Sequence, residues 1–253
     1  MTTKRTLAIR PDPGGKVPQT AMVMAAGLGK RMRPLTATRP KPLIKVAGKA
    51  LIDHVFDRLR AAGVKRAVVN VHYLADAMEA HLRNHAKDIE LVISDERGRL
   101  METGGGLVQA RALLGDEPFL VVNSDNLWLD GPTDAIRALA AAWDDAKMDA
   151  LLLLVPLARA NNHGGQGDFH LDAQGRITGW RKPGRLAPFV YTGVQILSPR
   201  VIADWPEGPF STRLFWERAI DAGRAYGFVH EGLWFDVGSP PAIKATEAML
   251  AGD

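Results

Sequence analysis

A glycine loop between a short apolar run and a basic stretch is the feature that most restricts how this chain can fold. Residues 21–26 are apolar, Gly27 and Gly29 follow, and no Asp or Glu lies between Asp12 and Asp53. The apolar run predicts a buried strand. Glycine tolerates positive φ angles and lets backbone N–H groups approach a ligand closely. The pattern therefore predicts a strand that ends at a loop able to hold an anion.

The basic stretch after the first glycine is unusual in a chain whose net charge is only +4. Such a local excess of positive charge predicts an anionic partner. Prolines at positions 34, 40 and 42 stiffen the loop, so less ordering of the backbone is needed on binding. The basic residues are Lys30, Arg31, Arg33, Arg39, Lys41, Lys45 and Lys49.

Two common phosphate loops do not fit this stretch. The dinucleotide fingerprint requires a third glycine where Met32 stands, and the Walker A loop requires Ser or Thr where Arg31 follows Lys30. The remaining alternative to a ligand loop is an ordinary strand and turn with a solvated basic face.

Composition excludes several other classes of protein. The chain has no cysteine, which excludes disulfides and thiolate chemistry. Its longest apolar run, residues 150–157, is too short to span a bilayer, and residues 1–18 lack the apolar region of a signal peptide. We therefore expect a cytoplasmic protein with no membrane partner. The basic residues are not interleaved with aromatics, which favours a small phosphorylated ligand over nucleic acid.

Apolar runs of strand length alternate with segments of helical periodicity along most of the chain. This alternation predicts an α/β fold with a mostly parallel central sheet. Residues 1–18 are polar and proline-rich and predict a flexible N-terminal arm, whereas residues 19–253 predict a single domain. The predicted strands include residues 66–71, 89–93, 119–122, 150–155 and 190–197, and the predicted helices include residues 74–86, 102–114, 133–143 and 211–222.

Two aspartates follow predicted strands and are candidates for metal binding. Asp125 comes after the apolar run 119–122, and Asp236 ends the last predicted strand. Ligands bind outside the carboxyl ends of strands in open α/β sheets, and paired carboxylates suit Mg²⁺. The alternative is that both are turn residues bonded to the local backbone. The seven histidines show no spacing typical of a metal site.

Residues 25–32, read with residues 40–43, resemble the signature of the sugar-1-phosphate nucleotidyltransferases, and the similarity extends from about Thr20 to Met249. The resemblance implies a Rossmann-like three-layer sandwich that makes a nucleoside-diphosphate sugar from a nucleoside triphosphate and a sugar 1-phosphate, with release of pyrophosphate. It implies catalytic roles for Arg31 and Lys41 on phosphate oxygens. It further implies that the nucleotide is bound by Ala25, Ala26, Gly27, Gly29, Glu102, Gly105 and Gly106.

The same resemblance implies that Asp125 and Asp236 hold Mg²⁺ and that Asn123, Arg181 and Lys182 bind the sugar phosphate. Arg181 departs from the family, because many members carry Glu at that position. Arg181 is therefore either a distinctive sugar contact or a surface residue.

Within the family, the short chain, the loop 102–106 and the predicted hairpin at 167–169 are most similar to uridylyltransferases that act on N-acetylmuramate 1-phosphate in cell-wall recycling. UTP is then the expected triphosphate. The alternatives are a mannose-1-phosphate guanylyltransferase and a catalytically silent nucleotide-sensing scaffold. A monomer or a homodimer is expected.

Overall fold

The computed structural model describes residues 13–252. Fourteen strands are described, in three sheets. They are β1 (Thr20–Met24), β2 (Lys45–Val46), β3 (Lys49–Ala50), β4 (Arg66–Val71), β5 (Glu90–Asp95), β6 (Phe119–Asn123), β7 (Asn126–Leu129), β8 (Ala150–Pro156), β9 (Ala160–Asn161), β10 (Phe169–Leu171), β11 (Ile177–Trp180), β12 (Phe189–Leu197), β13 (Ala225–Val229) and β14 (Leu233–Asp236). The helices are α1 (Leu51–Ala62), α2 (Ala75–His85), α3 (Glu102–Gln109), α4 (Arg111–Leu114), α5 (Ala135–Ala142), α6 (Arg213–Asp221) and α7 (Pro240–Ala251).

The central sheet has the strand order β5-β4-β1-β6-β12-β8-β13, and the hairpin β10–β11 pairs with the start of β12. Strand β12 is antiparallel to both of its neighbours β6 and β8, whereas β1, β4, β5 and β6 are mutually parallel. The predicted mostly parallel sheet is confirmed. Parallel pairing brings the carboxyl ends of β1, β4 and β6 to one edge, and that edge carries the candidate site.

Both faces of this sheet are buried because helices cover each of them. Ala21 and Val23 of β1 face the core beneath α1, α2 and α5, while Met22 faces the core beneath α3, α4 and α6. The same alternation occurs in β6 and β8. The arrangement is the predicted three-layer sandwich.

Helix α1 shows how sequence sets the ends of these elements. Its apolar residues recur at helical spacing and are buried, and it stops at Gly63, which has a φ of 93°. The N–H of Gly63 donates to the carbonyl oxygens of Leu59 and Arg60. Glycine adopts this left-handed conformation without a steric penalty, so the helix ends there.

A small second sheet, β7-β14-β9, was not expected from the sequence. Only two residues separate the end of β6 from the start of β7, and the sequence analysis predicted no strand in that second position. In this sheet β14 is antiparallel to β7, with Asp236 opposite Asn126. The pairing brings the last predicted strand next to the end of β6.

The predicted N-terminal arm falls partly outside the described residues, which exclude residues 1–12. Within the remainder, Pro18 is buried and Val17 packs against the core beneath α5. A β-carbon placed on Gly15 would lie 2.5 Å from Cα of Ala141. This part of the arm therefore lies against the domain.

The helices within residues 13–252 include none that is both long enough and apolar enough to cross a membrane.

Candidate active site

A cavity of about 560 Å³ opens at the carboxyl ends of β1 and β6. Its wall contains the loop around Gly27 and Gly29, called here the first glycine loop. It also contains the start of α3 and the turn after β6. Nine residues that the sequence analysis assigned to the site line it: Ala25, Ala26, Gly27, Gly29, Arg31, Lys41, Glu102, Asn123 and Asp125. The fold therefore brings most of the predicted nucleotide-binding and catalytic residues to one cavity.

The first glycine loop bends back over the end of β1. Gly29 has a φ of 59° and precedes a single 3₁₀ turn, Lys30–Met32. A β-carbon at Gly29 would lie 3.0 Å from both Thr36 Cγ2 and Lys41 Cβ, so a larger residue would crowd the loop. Met32 is fully buried and anchors the turn, while Arg31 is exposed and lines the cavity.

Lys41 reaches across the cavity to the turn after β6. Its Nζ donates to Asp125 Oδ2 at 2.6 Å, and only 12% of the Lys41 side chain is exposed. The flanking Pro40 and Pro42 are both buried and hold the backbone of Lys41 in a 3₁₀ turn. An ammonium group is thereby fixed beside a carboxylate in the wall of the cavity.

Asp236 lies next to this cavity without lining it, whereas Gly238 does line it. A β-carbon at Gly238 would lie 2.8 Å from Asp236 Oδ1 and 3.6 Å from Arg31 Nη1. Asp236 and Arg31 therefore flank the same glycine. Because Asp236 is opposite Asn126 in the small sheet, it also lies near Asp125.

His163 is a neighbour of Asp236 that the sequence did not indicate. Its Nδ1 is 3.3 Å from Asp236 Oδ2, and its ring packs edge-on against Trp234 with centroids 6.0 Å apart. The pair joins residues 73 positions apart, and no local pattern of sequence marks it.

Asn70 and Glu96 form a second contact pair that sequence reasoning missed. Asn70 Oδ1 accepts a hydrogen bond from the N–H of Ala25 at 2.7 Å, and its Nδ2 donates to Glu96 Oε1 at 2.7 Å. Glu96 Oε2 accepts from the N–H of Met101 at 3.0 Å. Burial raises the pKa of Glu96 despite these hydrogen bonds. The network ties the glycine loop to the residue that precedes α3.

Residues 102–106, the second glycine loop, form the start of α3. The N–H groups of Gly104 and Gly105 both donate to the carbonyl oxygen of Phe210, at 2.7 and 3.1 Å. A β-carbon at Gly105 would lie 2.0 Å from the carbonyl oxygen of Gly208, and one at Gly106 would lie 2.7 Å from Glu96 Oε1. These glycines are thus required for close packing, and neither lines the cavity. Their predicted contact with the nucleobase stays a prediction.

Arg181 and Lys182 follow β11 and do not line the main cavity. Arg181 Nη1 donates to Gln166 Oε1 at 3.0 Å, and Lys182 is exposed. The structure does not bring these two residues against the cluster of Arg31, Lys41 and Asp125, so their role in sugar binding stays a prediction.

A side cavity of about 200 Å³ adjoins the main cavity and shares Asn123 and Ser211 with it. Tyr191 and Gln195 of β12 form part of its wall. The Tyr191 hydroxyl is buried with no hydrogen-bond partner among the described residues, and burial raises its pKa. Gln195 Oε1 accepts from Trp216 Nε1 at 2.7 Å. The side cavity therefore offers polar groups next to Asn123.

The chain is similar to known proteins over most of its length. The family model described as nucleotidyl transferase matches residues 20–251. The chain is 51% identical, over 93% of its length and 98% of the relative, to N-acetylmuramate alpha-1-phosphate uridylyltransferase of Caulobacter vibrioides. It is 35% identical, over 92% and 98%, to the protein of that name from Neisseria meningitidis serogroup B.

Among solved structures, the inositol-1-phosphate CTP transferase from T. maritima resembles this chain with a TM-score of 0.76 at 20% identity, covering 94% of this chain and 97% of that one. This likeness confirms the predicted fold. The family match over residues 20–251 and the two full-length relatives show, as the sequence motifs predicted, that the chain belongs to the nucleotidyl transferase family.

Proposed function

We propose that this chain transfers a uridylyl group from UTP to N-acetylmuramate 1-phosphate, producing UDP-N-acetylmuramate and pyrophosphate. The observation that carries the proposal is the 51% identity to a relative named for this reaction, over almost the full length of both chains. The cavity at the end of β1 supports it, because glycine backbone and basic side chains surround a space large enough for a nucleotide.

The triphosphate would lie along the first glycine loop. Backbone N–H groups near Gly27 and Gly29 would face its oxygens, and Arg31 would neutralise the β- and γ-phosphates. Lys41 would contact the oxygens at the reacting centre. Its position is fixed before substrate arrives, because Asp125 and two prolines hold it. Fixed charges of this kind cost no reorganisation during the reaction.

Members of the family generally depend on a divalent metal ion. We propose Mg²⁺ for this chain, held by Asp125 and Asp236. Both carboxylates are about one-third exposed and so accessible, and both offer the oxygen ligands that Mg²⁺ prefers. When bound, the ion would supply positive charge to the phosphate oxygens around the reacting phosphorus.

Transfer needs no nucleophile from the protein. A phosphate oxygen of the sugar 1-phosphate would attack the α-phosphorus in line, and the bond from that phosphorus to the pyrophosphate oxygen would break. The protein would contribute by holding the two substrates in line and by neutralising charge. Arg31 and Lys41 would serve as the catalytic cations.

The sugar phosphate would extend from Asn123 towards the side cavity and the loop after β11. Asn123 lines both cavities, which supports its predicted place between nucleotide and sugar. Lys182 would contact the phosphate. N-acetylmuramate also carries a lactyl carboxylate, and Arg181 is the candidate partner for it, because guanidinium pairs bidentately with carboxylate.

The test is pyrophosphate release from a panel that crosses UTP, dTTP, GTP and CTP with N-acetylmuramate, N-acetylglucosamine and mannose 1-phosphates. We expect UTP with N-acetylmuramate 1-phosphate to give the highest kcat/KM. A preference for GTP with mannose 1-phosphate would identify the guanylyltransferase alternative instead. Nucleotide binding without pyrophosphate release under any combination would identify the silent scaffold.

A further inference from the structure

A cluster of metal-binding side chains lies outside the cavity, between helices α1 and α2. Asp53 projects from the first turn of α1, and His81 and His85 are four residues apart near the end of α2. One ligand atom from each of the three lies within 4.8 Å of the others. None of the three lines either cavity described above. The sequence analysis did not single out these two histidines.

The hydrogen bonds of the cluster prepare the two rings as ligands. His85 Nδ1 lies 2.9 Å from the carbonyl oxygen of His81. A carbonyl oxygen only accepts, so Nδ1 of His85 donates this bond, and in the neutral ring Nε2 has a free lone pair. Histidines that bind metals are oriented by a hydrogen bond of this kind from the other ring nitrogen.

His81 and Asp53 already form a close pair. His81 Nε2 is 2.7 Å from Asp53 Oδ1, and each side chain is about one-fifth exposed. A metal ion can replace the proton that this pair shares. The rings of His81 and His85 are stacked, with centroids 3.9 Å apart and planes 6° from parallel.

Arg60, a cation beside the cluster, is paired with carboxylates. Arg60 Nη2 donates to the carbonyl oxygen of His85 at 2.5 Å. The same guanidinium pairs with Asp57 at 3.2 Å and with Asp88 at 3.1 Å. Lys49 is paired with Asp57 as well. These carboxylates reduce the repulsion that a bound cation would meet from Arg60 and Lys49.

We propose that Asp53, His81 and His85 bind a divalent transition-metal ion of the zinc type and so join α1 to α2. Two imidazoles and one carboxylate suit zinc and its neighbours, whereas Mg²⁺ prefers an all-oxygen set. Water completes the coordination, because His85 is exposed. The site lies apart from the cavity, so the ion affects stability rather than turnover. The proposal does not depend on the proposed function.

The experiment uses the full chain, freed of metal by a chelator and then titrated with Zn²⁺ in excess Mg²⁺. Calorimetry measures the affinity of the tightest zinc site, and thermal unfolding measures the zinc-dependent rise in Tm. We compare wild type with His85→Gln and Asp53→Asn, and use His163→Gln as the matched control beside the candidate active site. Circular dichroism confirms that each variant is folded.

We expect one tight zinc site and a zinc-dependent rise in Tm in wild type and in His163→Gln. His85→Gln and Asp53→Asn should bind zinc at least tenfold more weakly and lose the rise in Tm. Three results would overturn the proposal: no zinc binding by wild type, unchanged affinity in His85→Gln, or loss of the tight site in His163→Gln, which would place the ion at Asp236.

Discussion

Lys41 Nζ donates to Asp125 Oδ2 at 2.6 Å, across a cavity wall formed by segments 84 residues apart in sequence. The contact fixes a cation and a carboxylate next to the first glycine loop. Lys41 is mostly buried, so the orientation of its ammonium group depends on this partner. If both residues act as proposed, a substitution of either one should lower turnover.

Asp125→Asn should lower kcat by about a hundredfold or more, because charge stabilisation at a transferring phosphoryl group is worth several kcal/mol. Asp236→Asn should have a similar effect. Pyrophosphate release measures both, and EDTA should abolish the wild-type activity that Mg²⁺ then restores. Asp116→Asn, an exposed residue away from the cavity, serves as the control and should be fully active. Near-normal turnover in a folded Asp125→Asn protein would show that Asp125 is not a metal ligand.

Arg31→Lys should lower kcat/KM by about tenfold or more, because the planar guanidinium fork is replaced by a point charge that cannot pair bidentately with phosphate. The matched control is Arg33→Lys in the same basic loop, since Arg33 is exposed and does not line the cavity. Equal kcat/KM in Arg31→Lys and wild type would show that only the charge at position 31 matters.

Arg181→Glu should reduce discrimination between N-acetylmuramate and N-acetylglucosamine 1-phosphates. One charge-assisted bond of about 1.5–3 kcal/mol corresponds to roughly tenfold to more than a hundredfold in kcat/KM. Arg185→Glu is the control, because Arg185 is exposed in the same loop. Wild-type discrimination retained in Arg181→Glu would exclude Arg181 as the carboxylate partner and leave the substrate proposal standing.

Asn70→Ala should destabilise the protein by about 1–3 kcal/mol, because it leaves the N–H of Ala25 and the buried carboxylate of Glu96 without their partner. Loss of the hydrogen bond to the N–H of Ala25 should also raise the KM for UTP, because this bond holds the start of the first glycine loop in place. Denaturant unfolding and initial-rate kinetics measure the two effects. The control is Asn84→Ala on the exposed end of α2, where the side chain donates to the carbonyl oxygen of Ala80 in its own helix. Unchanged stability and KM in Asn70→Ala would contradict the anchoring role.

Stability should decrease as pH falls through the range in which unfolded histidine takes up a proton. Burial lowers the pKa of His230, whose Nε2 lies 3.1 Å from the carbonyl oxygen of Leu129, and burial likewise lowers the pKa of His54. The unfolded state then binds more protons than the folded state below about pH 6.5, so the free energy of unfolding falls on acidification.

Urea unfolding between about pH 7.5 and pH 5.5 measures this decrease. His230→Gln keeps a donor for Leu129 but removes the titrating ring, so its stability should depend less on pH. An equally steep dependence in His230→Gln would assign the effect to other groups.

The sequence by itself predicted most strands of the central sheet and most of the residues that line the cavity. Strand β4, for example, was predicted with its observed bounds. The sequence predicted the roles of the first glycine loop, Arg31 and Lys41 because all of them lie within one long motif. Apolar periodicity and the φ preference of glycine act over a few residues, so both can be recognised in the sequence without knowledge of the fold.

The tertiary structure alone decided which distant residues meet. Asp236 reaches the neighbourhood of Asp125 through the register of β14 on β7, and Asn70 meets Glu96 because β4 and β5 are neighbours in the sheet. Asp53 meets His81 only because α1 and α2 pack on the same face. Such contacts depend on strand order, register and helix packing, which arise from the burial of the whole core and leave no local pattern in a single sequence.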